Sequence, residues 1–387
     1  MIRTILAGID VGSQTTRIVV CEKKSGEYPR VLGVGTAPSL GIHHGYITNL
    51  KLACESIKQA LAEAEKSAGV RVRQVMIGIG GITLGTDIGL GSAIISKADS
   101  EITHLDVKKA LDQSEESIII ANKKIIDSYP IAYRLDGKEL LGEPEGMKGV
   151  KLEVRSLFVT ALGQHIDSLI VAVSDAGLEV IDVVPAPVAS AAGILSDKQR
   201  MAGCVLANFG AETLSTIVYE DNKLVSLQIF PIGGNDITND IALGLKIPLE
   251  EADGIKIGSI MSNTPKKKLD EIVNARLEDM FDLIDAQLKK IRRNGLLPAG
   301  AILIGGSSQF PMIDEAARAA LRLPAKFGID ILVERTKGKL RDTAFAVAYG
   351  LCVLDRDDTA KRRPDSSSGL LESIKQFFLR IGNQLLP

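Results

Sequence analysis

The sequence contains few aromatic residues and no tryptophan. Phe, Tyr and Trp together make up 4% of its 387 residues. Surfaces that bind single-stranded nucleic acid stack the bases on aromatic side chains, so this composition argues against a large surface of that kind. The charge balance agrees, because 46 basic and 48 acidic residues leave a net charge of −2 and hence no overall positive field. We therefore expect no nucleic-acid partner.

Cysteines and long apolar runs are also scarce. The chain has four cysteines and no C-x-x-C pair, which argues against a disulfide scaffold and against a thiolate zinc site. Its four histidines are expected at the surface. No stretch approaches the roughly 18 apolar residues of a membrane-spanning helix, and the N-terminal apolar run is too short for a signal peptide because Asp10 and Gly12 interrupt it. The length corresponds to about two to three domain-sized units, which we expect in the cytoplasm.

Three glycine-containing turns stand out beside predicted strands. The first glycine turn is Asp10-Val-Gly-Ser-Gln-Thr-Thr-Arg17, the second is Asn208-Phe-Gly-Ala-Glu-Thr213, and the third is Gly305-Gly-Ser-Ser308. The first two each join two strand-like segments and lie about 200 residues apart, which indicates a duplicated architecture. Successive N–H groups in such turns can hold phosphate oxygens, although each turn alone is more typical of a plain hairpin. Neither Walker A nor G-x-G-x-x-G occurs, which argues against P-loop and Rossmann folds.

Strands and helices alternate between these turns. The apolar periodicity predicts a helix over 50–68, a strand over 72–79 and a helix over 275–291. Residues 33–46 are expected to form a loop, and residues 80–93 form a glycine-rich segment. The part of the chain that follows this segment predicts a small α+β insertion.

The C-terminal end differs in kind from the rest. Residues 355–369 contain no large apolar side chain and predict a flexible tether. Beyond it, the apolar residues fall within an arc of roughly 120° on a helix. Such a stripe is often part of a core, but a tethered stripe with cations at its margins suits a helix that lies in a membrane interface. The residues expected at the membrane are Leu370, Leu371, Ile374, Lys375, Phe377, Phe378, Arg380, Ile381 and Leu385.

The order of the three turns resembles the actin/DnaK/hexokinase ATPase superfamily, in which two duplicated halves clamp ATP and Mg²⁺. Within it the chain is most similar to FtsA, the bacterial actin homologues that tether FtsZ to the membrane. The similarity is most specific in Glu101-Ile-Thr, Tyr129-Pro-Ile-Ala-Tyr-Arg-Leu-Asp-Gly137 and Pro144-Glu-Gly-Met-Lys-Gly-Val-Lys-Leu152, which resemble the SHS2-type 1C insertion of FtsA. The resemblance implies an α/β protein with a duplicated actin-like (ribonuclease H-like) ATPase fold, an α+β 1C insertion and a C-terminal amphipathic helix.

The resemblance also implies the domain organisation. The expected bounds are 1–83 and 163–200 for subdomain 1A, 84–162 for the inserted 1C subdomain, 201–233 and 291–354 for subdomain 2A, 234–290 for subdomain 2B, 355–369 for the linker and 370–387 for the membrane-targeting helix.

The nucleotide site follows from matching the family's motifs residue by residue. Asp10 matches the carboxylate that holds Mg²⁺ through water, and Arg17 stands where Lys is usual. In the second turn Asn208 replaces the usual Asp, and Ala211 and Glu212 replace two glycines. An amide orients water around Mg²⁺ less strongly than a carboxylate does, so we expect at most weak ATPase activity, with no assignable general base. The residues expected to contact ATP are Asp10, Gly12, Ser13, Gln14, Thr15, Arg17, Asn208, Gly210, Ala211, Thr213, Asp253, Lys256, Gly305, Gly306, Ser307 and Phe310.

The function implied by the resemblance is that of a cell division protein. It would bind ATP, polymerise on the cytoplasmic face of the cell membrane at the division site, and tether FtsZ there during septum assembly. The expected partners are the FtsZ C-terminal peptide, other copies of the chain, anionic lipid, and other division proteins at 1C. A basic face near subdomain 2B is a candidate for the FtsZ peptide, although an ordinary solvated face explains it equally well. It comprises Lys266, Lys267, Lys268, Arg276, Lys289, Lys290, Arg292 and Arg293.

Three alternatives share the superfamily. A PilM-like scaffold of type IV pilus assembly has the same fold and insertion, but no tethered amphipathic helix is expected in it. An MreB-like cell-shape filament would lack the 1C pattern. A sugar kinase or chaperone would need a catalytic carboxylate and an intact second turn, which Asn208 argues against.

Overall fold

A computed structural model describes residues 4–24, 26–97, 99–261 and 265–354. The predicted tether and membrane-targeting helix lie outside these residues.

Before the insertion, the first half of the chain builds most of a sheet, one helix and a small hairpin. In chain order its elements are β1 (Thr4–Val11), β2 (Thr15–Lys23), β3 (Arg30–Pro38), β4 (Ile42–His43), β5 (Tyr46–Ile47), α1 (Leu50–Ala68) and β6 (Gln74–Ile79). The insertion then contributes β7 (Gly85–Ile94), α2 (His104–Glu116), β8 (Lys123–Leu135), β9 (Lys138–Leu140) and β10 (Lys151–Leu162). The first half resumes with α3 (Gly163–Asp175), β11 (Glu179–Pro185), α4 (Ala186–Ile194) and α5 (Asp197–Ala202).

The second half repeats the pattern of a meander followed by helices and further strands. Its elements are β12 (Cys204–Phe209), β13 (Leu214–Glu220), β14 (Lys223–Phe230), α6 (Gly234–Leu245), α7 (Leu249–Lys256), α8 (Lys266–Lys290), β15 (Gly300–Ile304), α9 (Ile313–Leu321), β16 (Ala325–Phe327), α10 (Ile329–Arg335), a 3-10 turn (Thr343–Phe345) and α11 (Ala346–Val353).

The two main sheets have the same topology. The first has the strand order β11-β6-β1-β2-β3, and the second has the order β14-β13-β12-β15-β16. In each, three antiparallel strands come first in the chain, and two later strands add in parallel beside the first of them. Equal order and equal strand directions confirm the predicted duplication. The insertion forms its own sheet, β7-β10-β8-β9, with α2 packed on it.

Two buried helices hold the halves together. α4 lies near the end of the first half, and α11 returns from the second half to pack on α4 and β1. Their backbones touch, since a Cβ added to Gly350 would lie 1.7 Å from the carbonyl oxygen of Ala189. Every residue of α4 is buried, and the main hydrophobic core runs from both helices into the two sheets. The second half and the insertion each add a separate core.

Glycines account for one difference from the sequence prediction and for the close packing of a second strand. The expected loop over 33–46 is wrong for its first part, because these residues belong to β3. A Cβ on Gly33 or Gly35 would lie 2.3 or 2.0 Å from backbone atoms of α1, so the glycines let this helix settle on the strand. The glycine-rich segment 80–93 contains most of β7, where Gly89 and Gly91 stand equally close to backbone atoms of α2.

The cysteines and histidines are largely placed as expected. All four cysteines are buried free thiols. The prediction of surface histidines is wrong for His165, which is 1% exposed. It lies in α3, where its Nδ1 is 2.5 Å from the Thr83 hydroxyl and its ring packs near that of Tyr46. No helix in the described part of the chain is both long and apolar enough to cross a bilayer.

Candidate functional site

A cavity of about 390 Å³ lies where the two halves meet, and all three glycine turns line it. This volume falls in the range of about 300–1,000 Å³ that is typical of small-molecule sites. The first and second turns follow β1 and β12, and the third follows β15. Since β1 and β12 are the corresponding strands of the two sheets, the duplication places the first two turns opposite each other. The cavity therefore has one turn from each half and a third turn beside the second.

The first turn combines a carboxylate with a cation. Asp10 and Arg17 face each other in the register of β1 and β2. Burial raises the pKa of Asp10 to about 6, although the charge of Arg17 acts in the opposite direction. The Arg17 guanidinium lies 5.9 Å from the centre of the Phe345 ring, a cation–π arrangement. Arg17 therefore remains close to the cavity, where it could neutralise an anionic ligand.

The second turn has the same backbone shape without an Asp–Arg pair across its strands. A Cβ on Gly210 would lie 2.8 Å from the carbonyl oxygen of Thr213, and a Cβ on Gly12 would lie 2.9 Å from that of Thr15 in the first turn. The register partner of Asn208 is Ser215, so no charged pair spans these strands. The N-terminus of α6 rests on this turn, because the N–H groups of Gly234 and Asn235 donate to it.

The third turn is attached to the second through backbone contacts. The Ser307 N–H donates to the carbonyl oxygen of Phe209 over 3.0 Å. Gly305 has φ of +100°, and a Cβ there would lie 2.4 Å from the Asn208 side-chain oxygen. Only glycine combines that conformation with that approach. At Gly306, by contrast, the nearest atoms to an added Cβ are 4.0 Å away, so the wall of the cavity is open at this point.

Asp253 and Lys256 of α7 line the cavity but are already paired. The Lys256 ammonium lies 2.6 Å from the Asp253 carboxylate. It also donates to the Thr238 hydroxyl and to the Gly234 carbonyl oxygen, so its three N–H groups all have partners. The lysine side chain is 8% exposed. This pair therefore fixes α7 against α6 and adds no net charge to the cavity wall.

The structure brings together fifteen of the sixteen residues expected at the site. The exception is Phe310, which packs against the core of the second half and does not line the cavity. Sequence reasoning also missed lining residues from the first half, among them Gly80, Gly81, Ala186 and Pro187. The glycine pair directly after a predicted strand was a usable signal, whereas Ala186 and Pro187 reach the cavity only through the packing of α4.

The side chains of the cavity do not form a complete metal site of their own. They suit Mg²⁺ that binds together with a nucleotide. Among the residues described, no group of three or more His, Cys, Asp or Glu side chains could hold a metal ion. Of the carboxylates on the cavity wall, Asp253 is paired with Lys256, and Asp342 accepts from the Ala344 N–H. Asp10 remains, at the end of β1. Mg²⁺ in nucleotide sites commonly uses one or two carboxylates together with phosphate oxygens and water.

Comparison with protein families shows two matches. The model for the cell division protein FtsA matches residues 205–350. The model for the SHS2 domain inserted in FtsA matches residues 89–160.

Individual relatives agree with these matches. The cell division protein FtsA of Pseudomonas aeruginosa is 27% identical over 369 residues, with 90% of this chain and 88% of that protein covered. FtsA of Escherichia coli K12 is 21% identical over 412 residues, which cover 99% of this chain and 98% of that protein. Among solved structures, a PilM-PilN type IV pilus biogenesis complex matches with a TM-score of 0.68 at 17% identity, covering 91% of this chain and 98% of that one.

The duplicated sheets, the cavity between them and the inserted SHS2 domain define an actin-like protein of the ATPase fold. The solved neighbour supports the fold alone, because its sequence identity is low. The two family models and the full-length relatives are more specific, and they separate this chain from other actin-like proteins. The chain belongs to the FtsA family of cell division proteins.

Proposed function

We propose that the chain binds ATP in the cavity between its halves. The observation that carries this proposal is the convergence of three glycine turns, one of them with an Asp–Arg pair, on a single cavity. N–H groups in the first and second turns would hold phosphate oxygens, and Arg17 would balance their charge. Gly306 would leave room for the flat base. Asp10 and water would hold the Mg²⁺, which would screen the phosphates when bound.

A blocking variant tests this proposal. Gly306→Leu places a side chain in the open part of the cavity without a backbone clash, so ATP affinity should fall at least tenfold while the free energy of unfolding stays nearly unchanged. The measurement is calorimetric titration of ATP with Mg²⁺. A wild-type chain that binds no ATP at millimolar concentration would contradict the proposal, and so would a variant that binds as tightly as the wild type.

Hydrolysis is proposed to be weak at most. The second turn presents the neutral Asn208 where a carboxylate would orient water around Mg²⁺. In the described part of the chain, the cavity wall includes no histidine or glutamate that could act as a general base. Nucleotide binding would then act by stabilising one arrangement of the two halves.

We further propose that the protein polymerises on the cytoplasmic face of the cell membrane and tethers FtsZ there during septum assembly. The family membership supports this role, together with the C-terminal apolar stripe read from the sequence. One helix of that kind binds anionic lipid reversibly, so many copies on a polymer would be needed for durable attachment. The subdomain bounds given above belong to the same proposal, with 1C as the place where other division proteins bind.

The basic face beside α8 is the proposed docking place for the FtsZ C-terminal peptide. Three of its cations are engaged within the molecule: Arg276 with Asp240, Lys289 with Asp285, and Arg293 with Glu220. Lys266, Lys267 and Lys268 are exposed in the first turn of α8. Cations are unfavourable at a helix N-terminus, so an acidic partner would relieve a local charge conflict there.

Co-sedimentation with liposomes tests the anchor and the partner together. The full chain and a chain ending at Arg363 are compared with ATP and a labelled FtsZ C-terminal peptide. The full chain should pellet with anionic liposomes and carry the peptide, while the truncated chain should stay in solution and still bind it. Equal pelleting of both chains would contradict the anchor. Failure of both to bind the peptide would favour a PilM-like scaffold, whose fold this chain shares.

A further inference from the structure

The second turn sends one side chain across the cleft to the first half. Ala211 and Thr213 line the cavity, but Glu212 between them does not. Its carboxylate accepts a hydrogen bond of 2.5 Å from the backbone N–H of His44. The other carboxylate oxygen lies 3.5 Å from Nδ1 of His43. The backbone carbonyl oxygen of Glu212 is also 3.1 Å from Nδ1 of His44.

The residues that Glu212 contacts form a tight turn at 43–46. This 43–46 turn also contacts the first glycine turn, because the Gly45 N–H donates to the Ser13 hydroxyl oxygen over 2.9 Å. That bond leaves the Ser13 hydroxyl proton free for a ligand. The 43–46 turn is therefore bonded to both turns that line the cavity from opposite halves.

The 43–46 turn is also held by the segment that leads into the insertion. The Ile82 N–H donates to the carbonyl oxygen of His44 over 3.1 Å. A Cβ on Gly45 would lie 2.6 Å from Cα of Gly81, so the two backbones are in contact. Because its own half holds the 43–46 turn on two sides, the turn is a rigid anchor for a side chain that arrives from the other half.

We propose that Glu212 is a positioning residue that clasps the two glycine turns at a fixed spacing. A charged acceptor makes the stronger kind of hydrogen bond, and this carboxylate is only 17% exposed, so solvent screens it little. Glycine, the residue that the family motif has here, cannot make this contact. The two halves of this chain are therefore joined across the cleft by this side chain, and we expect nucleotide to enter and leave faster when the clasp is removed.

The inference has one part that stands on the structure alone and one that rests on the proposed ATP site. The clasp itself predicts slow amide exchange in the ligand-free protein. The gating of nucleotide requires, in addition, that the cavity binds it. The two parts are measured separately, so that failure of one is distinguishable from failure of the other.

The first measurement is hydrogen exchange at the His44 amide in the full chain without nucleotide. Glu212→Ala should speed this exchange about 10- to 100-fold, as expected for loss of a bond to a charged group. Glu212→Gln keeps an acceptor of the same size and should show a smaller increase, which separates the bond from general unfolding. His43→Ala is the matched control, because its exposed ring should add less than about twofold. Unchanged exchange in Glu212→Ala would overturn the clasp.

The second measurement is stopped-flow association and dissociation of fluorescent ATP with Mg²⁺. Glu212→Ala should raise both rate constants about tenfold or more and change their ratio much less. Rate constants equal to those of the wild type would overturn the gating, even if the exchange result supports the clasp. Absence of any ATP binding by the wild type would contradict the proposed function and the gating, and would leave the clasp to be decided by hydrogen exchange.

Discussion

The first and second glycine turns share a backbone and differ in charge. Both close on a threonine carbonyl oxygen at nearly the same distance from a virtual Cβ, 2.9 Å at Gly12 and 2.8 Å at Gly210. Across the strands, however, Asp10 faces Arg17 whereas Asn208 faces Ser215. The duplicated fold thus repeats a backbone turn that can bind an anion. Only the copy in the first half pairs a carboxylate with a cation across its strands. The second half contributes support, through the third turn, and contact with the first half, through Glu212.

The largest expected effect concerns the support of the second turn. In Gly305→Ala the new Cβ would stand 2.4 Å from both the Asn208 side chain and the Phe209 carbonyl oxygen, at φ of +100°. Left-handed strain and overpacking together should lower the free energy of unfolding by about 3–5 kcal/mol. Urea denaturation measures this loss. Gly306→Ala is the matched control and should cost less than about 1 kcal/mol. Similar losses in both variants would mean that the second turn does not depend on this contact.

The next effect concerns the side of the first turn that faces the 43–46 turn. Ser13 is bonded to Gly45, and beside Gly45 the ring of Tyr46 packs near the buried imidazole of His165. Burial lowers the pKa of His165 from 6.5 to about 4. As pH falls below 6.5 the unfolded chain takes up a proton that the folded chain takes up only near pH 4. Stability is therefore complete above about pH 6.5 and is lost progressively down to about pH 4.

The size of this loss of stability follows from the difference between the two pKa values of His165, 6.5 in the unfolded chain and about 4 in the folded one. At about 1.4 kcal/mol for each pKa unit, protonation should remove up to about 3 kcal/mol of unfolding free energy. Urea denaturation between pH 7 and pH 4 checks it, with His165→Asn as the variant that should flatten the profile. The exposed His104 provides the control, since His104→Asn should leave the profile unchanged. An equally steep profile in His165→Asn would assign the loss to other groups.

Exchanging carboxylate and amide between the two turns should have a smaller effect, which is measured as a change in ATP affinity. Asp10→Asn gives the first turn the amide that the second turn has at Asn208, and Mg²⁺-dependent ATP affinity should fall about tenfold to hundredfold because a charged acceptor is lost. Asn208→Asp should act in the opposite direction, with a stronger Mg²⁺ dependence and faster phosphate release. Titrations with Mg²⁺ and with EDTA measure both. If the two variants shift the Mg²⁺ dependence in the same direction, the proposed difference between the turns is wrong.

Much of the site was predictable because its residues lie in short turns beside strands. The positions of Asp10, Gly12 and Gly210 follow from local patterns, and the family resemblance brings the turns together. Local sequence patterns do not predict contacts between backbone segments that are far apart in the sequence. The sequence predicts a loop at Gly33 and Gly35, yet both lie in β3, where they leave room for the backbone of α1. Phe310 is next to the third turn in sequence, but tertiary packing places it against the core of the second half.

The smallest expected effect is a difference between two variants. Gly12→Ala and Gly210→Ala each add a Cβ within 3.0 Å of a threonine carbonyl oxygen, so each should lower ATP affinity, by about 1–3 kcal/mol as for other overpacked sites. If the second turn holds phosphate as the first does, the two losses should agree within about 0.5 kcal/mol, the usual error of additivity. Parallel ATP titrations and urea denaturation measure both.

The two variants also decide what the duplication provides. A loss of ATP affinity confined to Gly12→Ala would show that only the charged turn holds phosphate. The second turn would then serve mainly to carry Glu212 and to rest on Gly305. Equal losses would instead show that the cradle works from its backbone N–H groups alone. In that case Asn208 could replace a carboxylate without loss of binding, since the carboxylate is needed only to orient water around Mg²⁺.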